Sequence, residues 1–547
     1  MSRRGLWPGL GLALLALAST ATSLGNLFAG DDVYIIVLND RVHTIAPFWD
    51  YLRQSYWPAQ FGSTLYRPLT ILGFAVQWKL GGGMPLIFHV VNVLLYLGAT
   101  FAVWVLARQL LPAAAAWLVA AYFTVNPVHV ESSANVVGQP EIMVALLQTV
   151  AVAWYVASRR RGAPRPLVVV GIVVLYVLAC LTKENGVVLP GLLLAAEWLL
   201  VSGEASIKER IRALGPLYAL LAGIAIAYLL GRNAVLGGVV GEYPNPAIRG
   251  VSFGVRFLTM LPVVPQWWRL LLVPWHLQAD YMPVEIDRAT SFGPGQLLGV
   301  IFVLAWLFGI WGGRRTLPVM SFGLAWAAVT LFPVSNLVAP TGILLAERTL
   351  VSPSVGACLA LGGLAPWLAT RVAAARLWER RLAACLAALI LGLWVWRSAT
   401  RARVWHDDDR MIRQMVVDAP FSYRAHALMG RVLFEERDPA QGEREYLTAI
   451  RLYPYDPNVF AGLARQYRDA GLYRQAIPLF RKALELAPQM IPARNMLIYC
   501  LVQSGDSVGA QAELAEKFQR HDPDADRIRS MVDSVEQQLH APSAPRR

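Results

Sequence analysis

Charged side chains are scarce in this chain. They make up 16% of its 547 residues, where a soluble globule carries about 25%, and that deficit excludes one large water-soluble domain. Cysteine is scarcer still: Cys180, Cys358, Cys385 and Cys500 are the only four. The first three lie in apolar runs and the last in a repeat helix. None has metal-ligand spacing, so they read as buried, unpaired thiols. Walker and dinucleotide glycine motifs, HExxH and a nucleophile elbow are all missing. Gly81-Gly82-Gly83 has no Lys-Ser/Thr behind it and reads as a helix break. Nothing therefore points to ATP hydrolysis, a tightly held zinc or any tightly bound cofactor.

Apolar residues are abundant, 56% of the chain, and mean hydropathy is +0.45. They are unevenly spread. Up to about residue 397 the chain is a series of long apolar runs; beyond it Arg, Asp, Glu and Gln become frequent, which sets a boundary near Arg397–Arg403. Net charge is +13, and nucleic-acid binding has to be considered. The basic residues, however, sit in short clusters between apolar runs: Arg3-Arg4, Arg159-Arg160-Arg161, Lys208 with Arg210 and Arg212, Arg314-Arg315, and Arg371 with Arg376, Arg380 and Arg381. That distribution follows the positive-inside rule for membrane proteins, so no nucleic-acid partner is expected and the lipid bilayer is.

A span needs about 20 apolar residues. Eleven runs qualify with soft ends: 6–28, 87–108, 113–127, 139–157, 166–182, 186–202, 214–231, 294–312, 317–333, 350–370 and 382–397. The first could be a cleaved signal peptide, but 6–28 is long enough to cross and reads as an uncleaved span. With the Arg3-Arg4 end in the cytoplasm, the later basic clusters also fall there. The loops 29–86, 128–138, 232–293 and 334–349 fall outside. Because eleven is odd, the C-terminal region falls outside too. Residues 67–80 and 253–275 are read as helices at or dipping into the outer surface, lining a cavity.

Beyond residue 420 a 34-residue period appears. Pro420, Pro454 and Pro488 follow at that step, as do Tyr446, Phe480 and Leu514; Leu433, Tyr467 and Leu501; Gly442, Ala476 and Ala510; Ala449 and Ala483; and Gly471 and Gly505. Small residues let paired helices approach, aromatics fill the groove and the proline ends the second helix, the pattern of tetratricopeptide (TPR) repeats. Three repeats occupy 421–524, preceded by a linker helix at 401–420. A capping helix with Ile528, Met531, Val532, Val535 and Leu539 on one stripe fills 525–540, and a disordered tail 541–547. The fold class is thus all-α: a polytopic membrane domain over 1–400 and a C-terminal TPR solenoid.

Polar residues recur at the outer ends of the spans, where ionisable groups are functional candidates. Asp31-Asp32 directly follows the first span, and Arg67 precedes an apolar helix. A carboxylate and an arginine at the membrane surface suit chemistry on a lipid phosphate: one takes a proton from a hydroxyl, the other holds an anionic leaving group. His89 and Asn92 lie one turn apart, where helix packing explains them as well as chemistry. His129 and Glu131, read as an extended stretch, would face one side. Lys183-Glu184, Glu347-Arg348 and Asp280-Tyr281 complete the set.

These pieces, in order, resemble one family. DD (31–32), YRPLT (66–70), FHVVNVLLY (88–96), NPVHVES (126–132), LTKENGVVLP (181–190), LLVPWHLQADY (271–281) and AERTLVSPSVG (346–356), with the repeats behind them, resemble the transmembrane and TPR-repeat O-mannosyltransferases of the GT-C superfamily. The resemblance implies a GT-C-like helical bundle and an inverting transferase that moves a mannose-like sugar from a polyprenyl-phosphate-linked donor to a hydroxyl, such as a protein Ser or Thr. It implies Asp31 or Asp32 as catalytic base, Asp32 being preferred. Arg67, Lys183 and Arg348 become candidate donor-phosphate contacts. His89, His129, Glu131, Glu184, Asp280 and Glu347 become candidates for the acceptor or sugar pocket. Some members use a divalent metal (Mg or Mn) and others do not. Asn126, Gln139 and Val351 stand where His, Arg and Tyr are common in the family, and the repeat array is short for it.

The implied location is a bacterial inner membrane or its equivalent, with the repeats on the non-cytoplasmic side binding an acceptor or partner protein. Two other readings compete. One is a non-enzymatic, membrane-anchored TPR scaffold for an envelope complex, which leaves the polar outer ends unexplained. The other is a glycan or lipid transporter or polymerase, in which charge should lie nearer mid-membrane.

Overall fold

The structure is a computed structural model and describes residues 3–58, 65–162, 164–201, 207–238, 245, 247–281, 286–374 and 376–540. Residues 59–64 of the first long loop and the tail 541–547, expected to be disordered, lie outside the described residues. Among the described residues every regular element is a helix. The chain forms two compact units, divided between Gln414 and Met415.

The membrane unit contains, in chain order, α1 (Arg3–Thr20), α2 (Pro68–Gly81), α3 (Pro85–Leu110), α4 (Ala113–Val125), α5 (Val130–Ala134), α6 (Gln139–Arg159), α7 (Pro166–Thr182), α8 (Leu189–Leu199) and α9 (Ile207–Leu236). It continues with α10 (Phe253–Met260), α11 (Val263–Leu272), α12 (Pro294–Gly313), α13 (Pro318–Leu331), α14 (Val351–Gly362), α15 (Ala365–Ala374) and α16 (Leu377–Ala402). All eleven apolar runs are helical, but they are not equal in length. Among the described residues eight helical stretches are long and apolar enough to cross a bilayer, or nine if α4 and the helix bent 45° from it at Pro127 count as one span. The difference from eleven has a physical reason. Residues Glu184–Val188 form a 3-10 turn, which leaves α8 with 11 residues, about 17 Å of rise against a hydrocarbon core of about 30 Å. The short α7 has 17 residues. The protein is a multi-pass integral membrane protein.

Some helices present apolar side chains outward and others are enclosed. On α12, Leu304 and Phe308 are bare, as suits a surface solvated by lipid. Between α13 and α14, by contrast, a methyl group added at Gly323 would stand 2.3 Å from the Ala360 nitrogen. The two backbones therefore touch, as small residues allow in membranes, and α14 is fixed in the core. Three cysteines are buried, but Cys385 is exposed on α16, a correction to the expectation of buried thiols: that helix turns its cysteine out with its leucines. The run 253–275 breaks at Pro262 into α10 and α11. Together with α12 and α13 these helices line an apolar groove of about 300 Å³ between Phe257, Trp267, Trp306 and Leu331.

After a 3-10 turn at Arg403–Trp405 comes α17 (Asp408–Asp418), and then the helices of the repeats: α18 (Tyr423–Glu435), α19 (Pro439–Leu452), α20 (Pro457–Asp469), α21 (Tyr473–Leu486), α22 (Ile491–Gln503), α23 (Ser507–Gln519) and α24 (Ala525–His540). Four of these helices start with a side-chain cap: Ser422, Asp438, Asp456 and Asp506 each accept a backbone N–H of the first turn. The periodic residues form the interior, with Tyr446, Phe480 and Leu514 buried beside Ala449, Ala483 and Ala510. Ile528 and Val532 of α24 close the same core.

Candidate functional site

The Asp31-Asp32 turn is built by the backbone before it. α1 runs into a 3-10 turn at Ala21–Gly25, and Gly30 adopts φ +61°, a left-handed conformation that glycine takes without strain. One side of this segment is fastened to the end of α16 and the residues after it. Thr22 Oγ1 donates to the Ala399 carbonyl (3.0 Å), Asn26 Nδ2 to that of Ala402 (3.1 Å) and Leu27 N–H to that of His406 (2.7 Å); Gly30 N–H donates to Asp408 Oδ1 (2.5 Å).

The two aspartates do different things. Asp32 is fully buried, and its carboxylate is taken up by backbone donors: Val137 N–H at 2.8 Å, Val136 N–H at 3.2 Å and Ala29 N–H at 3.4 Å. Burial pushes its pKa up to about 7 in spite of those donors. Asp31 is half-buried, and its charge acts on Arg348 and on Tyr56.

Around the turn lie four ion pairs drawn from distant parts of the chain. Arg67 donates through Nε and Nη2 to Glu184 Oε2, both at 3.1 Å, and Arg232 Nη1 reaches Glu184 Oε1 at 3.2 Å. Although burial raises the Glu184 pKa, the charges of Arg67, Arg232 and Lys183 outweigh it and hold the group down at about 2. Lys183 Nζ is bonded to Glu141. Arg348 grips Glu131 at both oxygens, with its backbone N–H at 2.8 Å and Nη1 at 2.7 Å. The pairs feel one another: Arg348 is in the field of Glu141 and Arg67 as well as Asp31. Among the described residues no three His, Cys, Asp or Glu side chains converge as a metal site.

The structure thus brings together Asp31, Asp32, Arg67, Glu131, Lys183, Glu184 and Arg348. It does not bring His129 with them. The stretch expected to be extended is a 3-10 turn (Pro127–His129) running into α5, started by Asn126, whose side chain caps Val128 N–H. His129 and Glu131 therefore diverge, a correction to the same-side reading. The His129 ring is held inside by the Tyr96 hydroxyl at Nδ1 (2.8 Å) and the Ser354 hydroxyl at Nε2 (2.7 Å). The Asn-Pro pair was the overlooked helix-start signal. His89 is fully buried in α3, with neither ring nitrogen hydrogen-bonded among the described residues. Glu347 turns away from Arg348: its Oε1 accepts from the Tyr281 hydroxyl (2.9 Å) and from Gln278 N–H (2.5 Å), so with the neighbouring, buried Asp280 it belongs to the loop after α11.

Sequence reasoning missed several contributors. Arg232 lies one residue beyond the apolar run 214–231, and a lone arginine at the end of such a run is its sequence signal. Arg401 is buried and its charge acts on Glu347, yet it looks like one more basic residue at a boundary. Gln139 donates to Asn92 Oδ1 (2.8 Å) and bonds Gln77 reciprocally. This amide chain supports the 133–139 turn that binds Asp32.

Comparison with known proteins agrees with this ordering of parts. A tetratricopeptide repeat model matches residues 467–531. Protein O-mannosyl-transferase TMTC4 of Homo sapiens is 26% identical over 497 residues, 80% of this chain and 66% of that protein. TMTC1 of Homo sapiens is 26% identical over 516 residues, 85% and 58% of the two chains, and TMTC3 of Mus musculus 23% identical over 518 residues, 88% and 55%. The chain spans less than two thirds of the length of these relatives. Over most of its own length it is similar to the TMTC protein O-mannosyl-transferases, and its C-terminal helices include a TPR repeat.

Proposed function

We propose that this protein is a GT-C-type membrane glycosyltransferase. It moves a mannose-like sugar from a polyprenyl-phosphate donor to an acceptor hydroxyl, a protein serine or threonine, on the non-cytoplasmic face. The observation that carries this reading is a half-buried carboxylate, Asp31, whose charge acts on Arg348 and on Tyr56 beside Arg67, in a cluster where the other acids are already engaged.

The acceptor oxygen attacks the anomeric carbon on the side opposite the phosphate, and its proton passes to the Asp31 carboxylate. The bond from the anomeric carbon to the phosphate oxygen breaks, its electron pair leaves with the polyprenyl phosphate, and the sugar is inverted. Arg67 and Arg348 hold the charge that builds on the leaving phosphate. Asp32, saturated by backbone donors, fixes the turn so that Asp31 points outward. Lys183 and Glu184 buttress Arg67, and Glu131 orients Arg348. His89, His129, Asp280 and Glu347 shape the surrounding helices. A divalent metal is poorly matched to these residues: Glu131, Glu141 and Glu184 are each taken by a cation and Asp32 by N–H groups, which leaves Asp31 alone as a donor.

The TPR repeats are protein-interaction elements, and in this reading they bind the acceptor or a partner protein. The test is transfer of labelled mannose from polyprenyl-phosphate mannose to a Ser/Thr peptide by the purified full chain in liposomes. Transfer by the wild type and its loss in Asp31→Asn, with an unchanged melting temperature, is the expected result. No transfer by the wild type, or equal transfer by the variant, contradicts it. Reporters fused after residue 540 test the outward face of the repeats.

A further inference from the structure

Tyr56 belongs to none of the ion pairs, yet it lies among them. It is 3% exposed, in the loop between α1 and α2. Its backbone N–H donates to the Leu65 carbonyl (2.7 Å), which brings the ring back beside Arg67, whose guanidinium carbon is 4.9 Å from the ring centre. Asp31, Asp32, Arg67 and Arg348 all act on it electrostatically. Its hydroxyl has no hydrogen-bond partner among the described residues.

A buried hydroxyl left unmet is destabilising, and proteins keep few of them. Other buried phenols here are satisfied, Tyr96 by the Thr124 carbonyl and Tyr281 by Glu347. Tyr218 and Tyr228 share the unmet condition, but Tyr218 faces Glu197 and Arg159, and Tyr228 faces Glu184 and Arg232. Of the three, Tyr56 is the one in the field of Asp31 and Arg348 together. A protonated phenol is a hydrogen-bond donor. Of the two acids that act on it, Asp32 is taken up by backbone N–H groups, and the hydroxyl makes no hydrogen bond to Asp31. What fits is an anion with spare oxygens arriving between Arg67 and Arg348.

We propose that the Tyr56 hydroxyl donates a hydrogen bond to a non-bridging phosphate oxygen, completing with Arg67 and Arg348 a three-armed cradle for a phosphate monoester or diester. This rests on the glycosyltransferase reading above and names a further substrate contact for it. The phenol makes and breaks no covalent bond; its contribution is affinity and orientation of the phosphate. Tyr56→Phe removes the donor and keeps the ring against Arg67.

The experiment measures ligand-induced shifts in melting temperature, and donor KM and kcat, for the full-length wild type and Tyr56→Phe in nanodiscs. The ligands are polyprenyl phosphate, inorganic phosphate and neutral polyprenol. Expected are an unliganded variant at least as stable as the wild type, binding of polyprenyl phosphate weakened about tenfold, donor KM raised to match, and no change with polyprenol. The same loss with inorganic phosphate instead of the lipid supports the cradle and assigns it to a free anion. Equal affinities in wild type and variant, or a wild type that binds neither phosphate, overturn it. If Tyr56-dependent binding appears but the wild type transfers no sugar, the cradle stands and the glycosyltransferase reading falls.

Discussion

Buried charge is arranged differently in the two units. Around the candidate site of the membrane unit, pairs join segments far apart in sequence: Arg67 with Glu184, 117 residues away, and Arg348 with Glu131, 217 away. In the repeats, paired groups are near neighbours: Arg494 with Glu513, 19 residues on, and Lys517 with Asp522, 5 on. A solenoid is held by contacts between adjacent units, so its charges stabilise what the period already specifies. A site assembled from remote segments depends on its charges to hold those segments in place.

That difference predicts unequal effects of mutation. The largest should follow Arg348→Ala, which leaves Glu131, 3% exposed, without its cation. Breaking a buried pair this way costs about 3–5 kcal/mol, so the apparent melting temperature in detergent should fall steeply and transfer should vanish. Arg431→Ala, which breaks an exposed pair with Glu435 on α18, should cost about 0.5 kcal/mol or less. Similar shifts from both would erase the distinction.

The same contrast explains what could be read from sequence. Pro454 and Pro488, Gly471 and Gly505, and Tyr446 and Phe480 recur at a fixed step, so the repeat core is written along the chain. The apolar runs gave the membrane helices, though not that α8 would be shortened by the turn before it. Of the site, Asp31, Arg67, Lys183, Glu184 and Arg348 were legible because charge at the end of an apolar run is conspicuous. Their partners were not. Nothing along the chain ties Gly30 to Asp408, 378 residues later, and no spacing marks the Tyr56 hydroxyl as unmet. Which aspartate faces the cluster depends on backbone donors from Val136 and Val137, beyond the reach of any local pattern.

The Asp408 contact gives the next largest expected effect. Asp408→Ala should lower kcat for sugar transfer about 10- to 100-fold through misplacement of Asp31, with a much smaller change in donor KM. Asp408→Asn, which keeps an acceptor for Gly30 N–H, should recover most of the rate. An unchanged kcat in Asp408→Ala would show that the Gly30 turn needs no such support.

Acidity sharpens the comparison further, because the buried Asp32 and the half-buried Glu184 should respond to pH in opposite senses. The Glu184 pKa is depressed to about 2, so its stabilisation is present above about pH 4.5 and is lost as pH falls toward 2. The Asp32 pKa is raised to about 7. The folded protein then binds more protons than the unfolded chain between about pH 4 and 7, and stability falls as pH rises through that window. Asp32→Asn should abolish that fall while leaving the acid limb intact, as read by melting temperature against pH.

The smallest effect belongs to the repeats. Gly471 and Gly505 end their helices at φ +74° and +82°, and the matching position one period earlier is Arg437 at φ +64°. Arg437→Gly should relieve that strain and stabilise the repeats by about 0.5–1 kcal/mol, and Gly471→Ala should destabilise them by a similar amount. Hydrogen exchange of α18 and α19 in the full chain reads the first change, and that of α20 and α21 the second.

The central claim is that remote segments converge on one phosphate-linked sugar. It is tested most directly by photo-crosslinking a polyprenyl-phosphate mannose analogue, with the reactive group on its headgroup, to the full chain, followed by peptide mapping. Labelling should fall together on the peptides that carry Asp31, Tyr56 to Arg67, and Arg348, and free polyprenyl phosphate should compete with it. Labelling confined to the repeats of 423–519, or to one of those segments alone, would contradict the account.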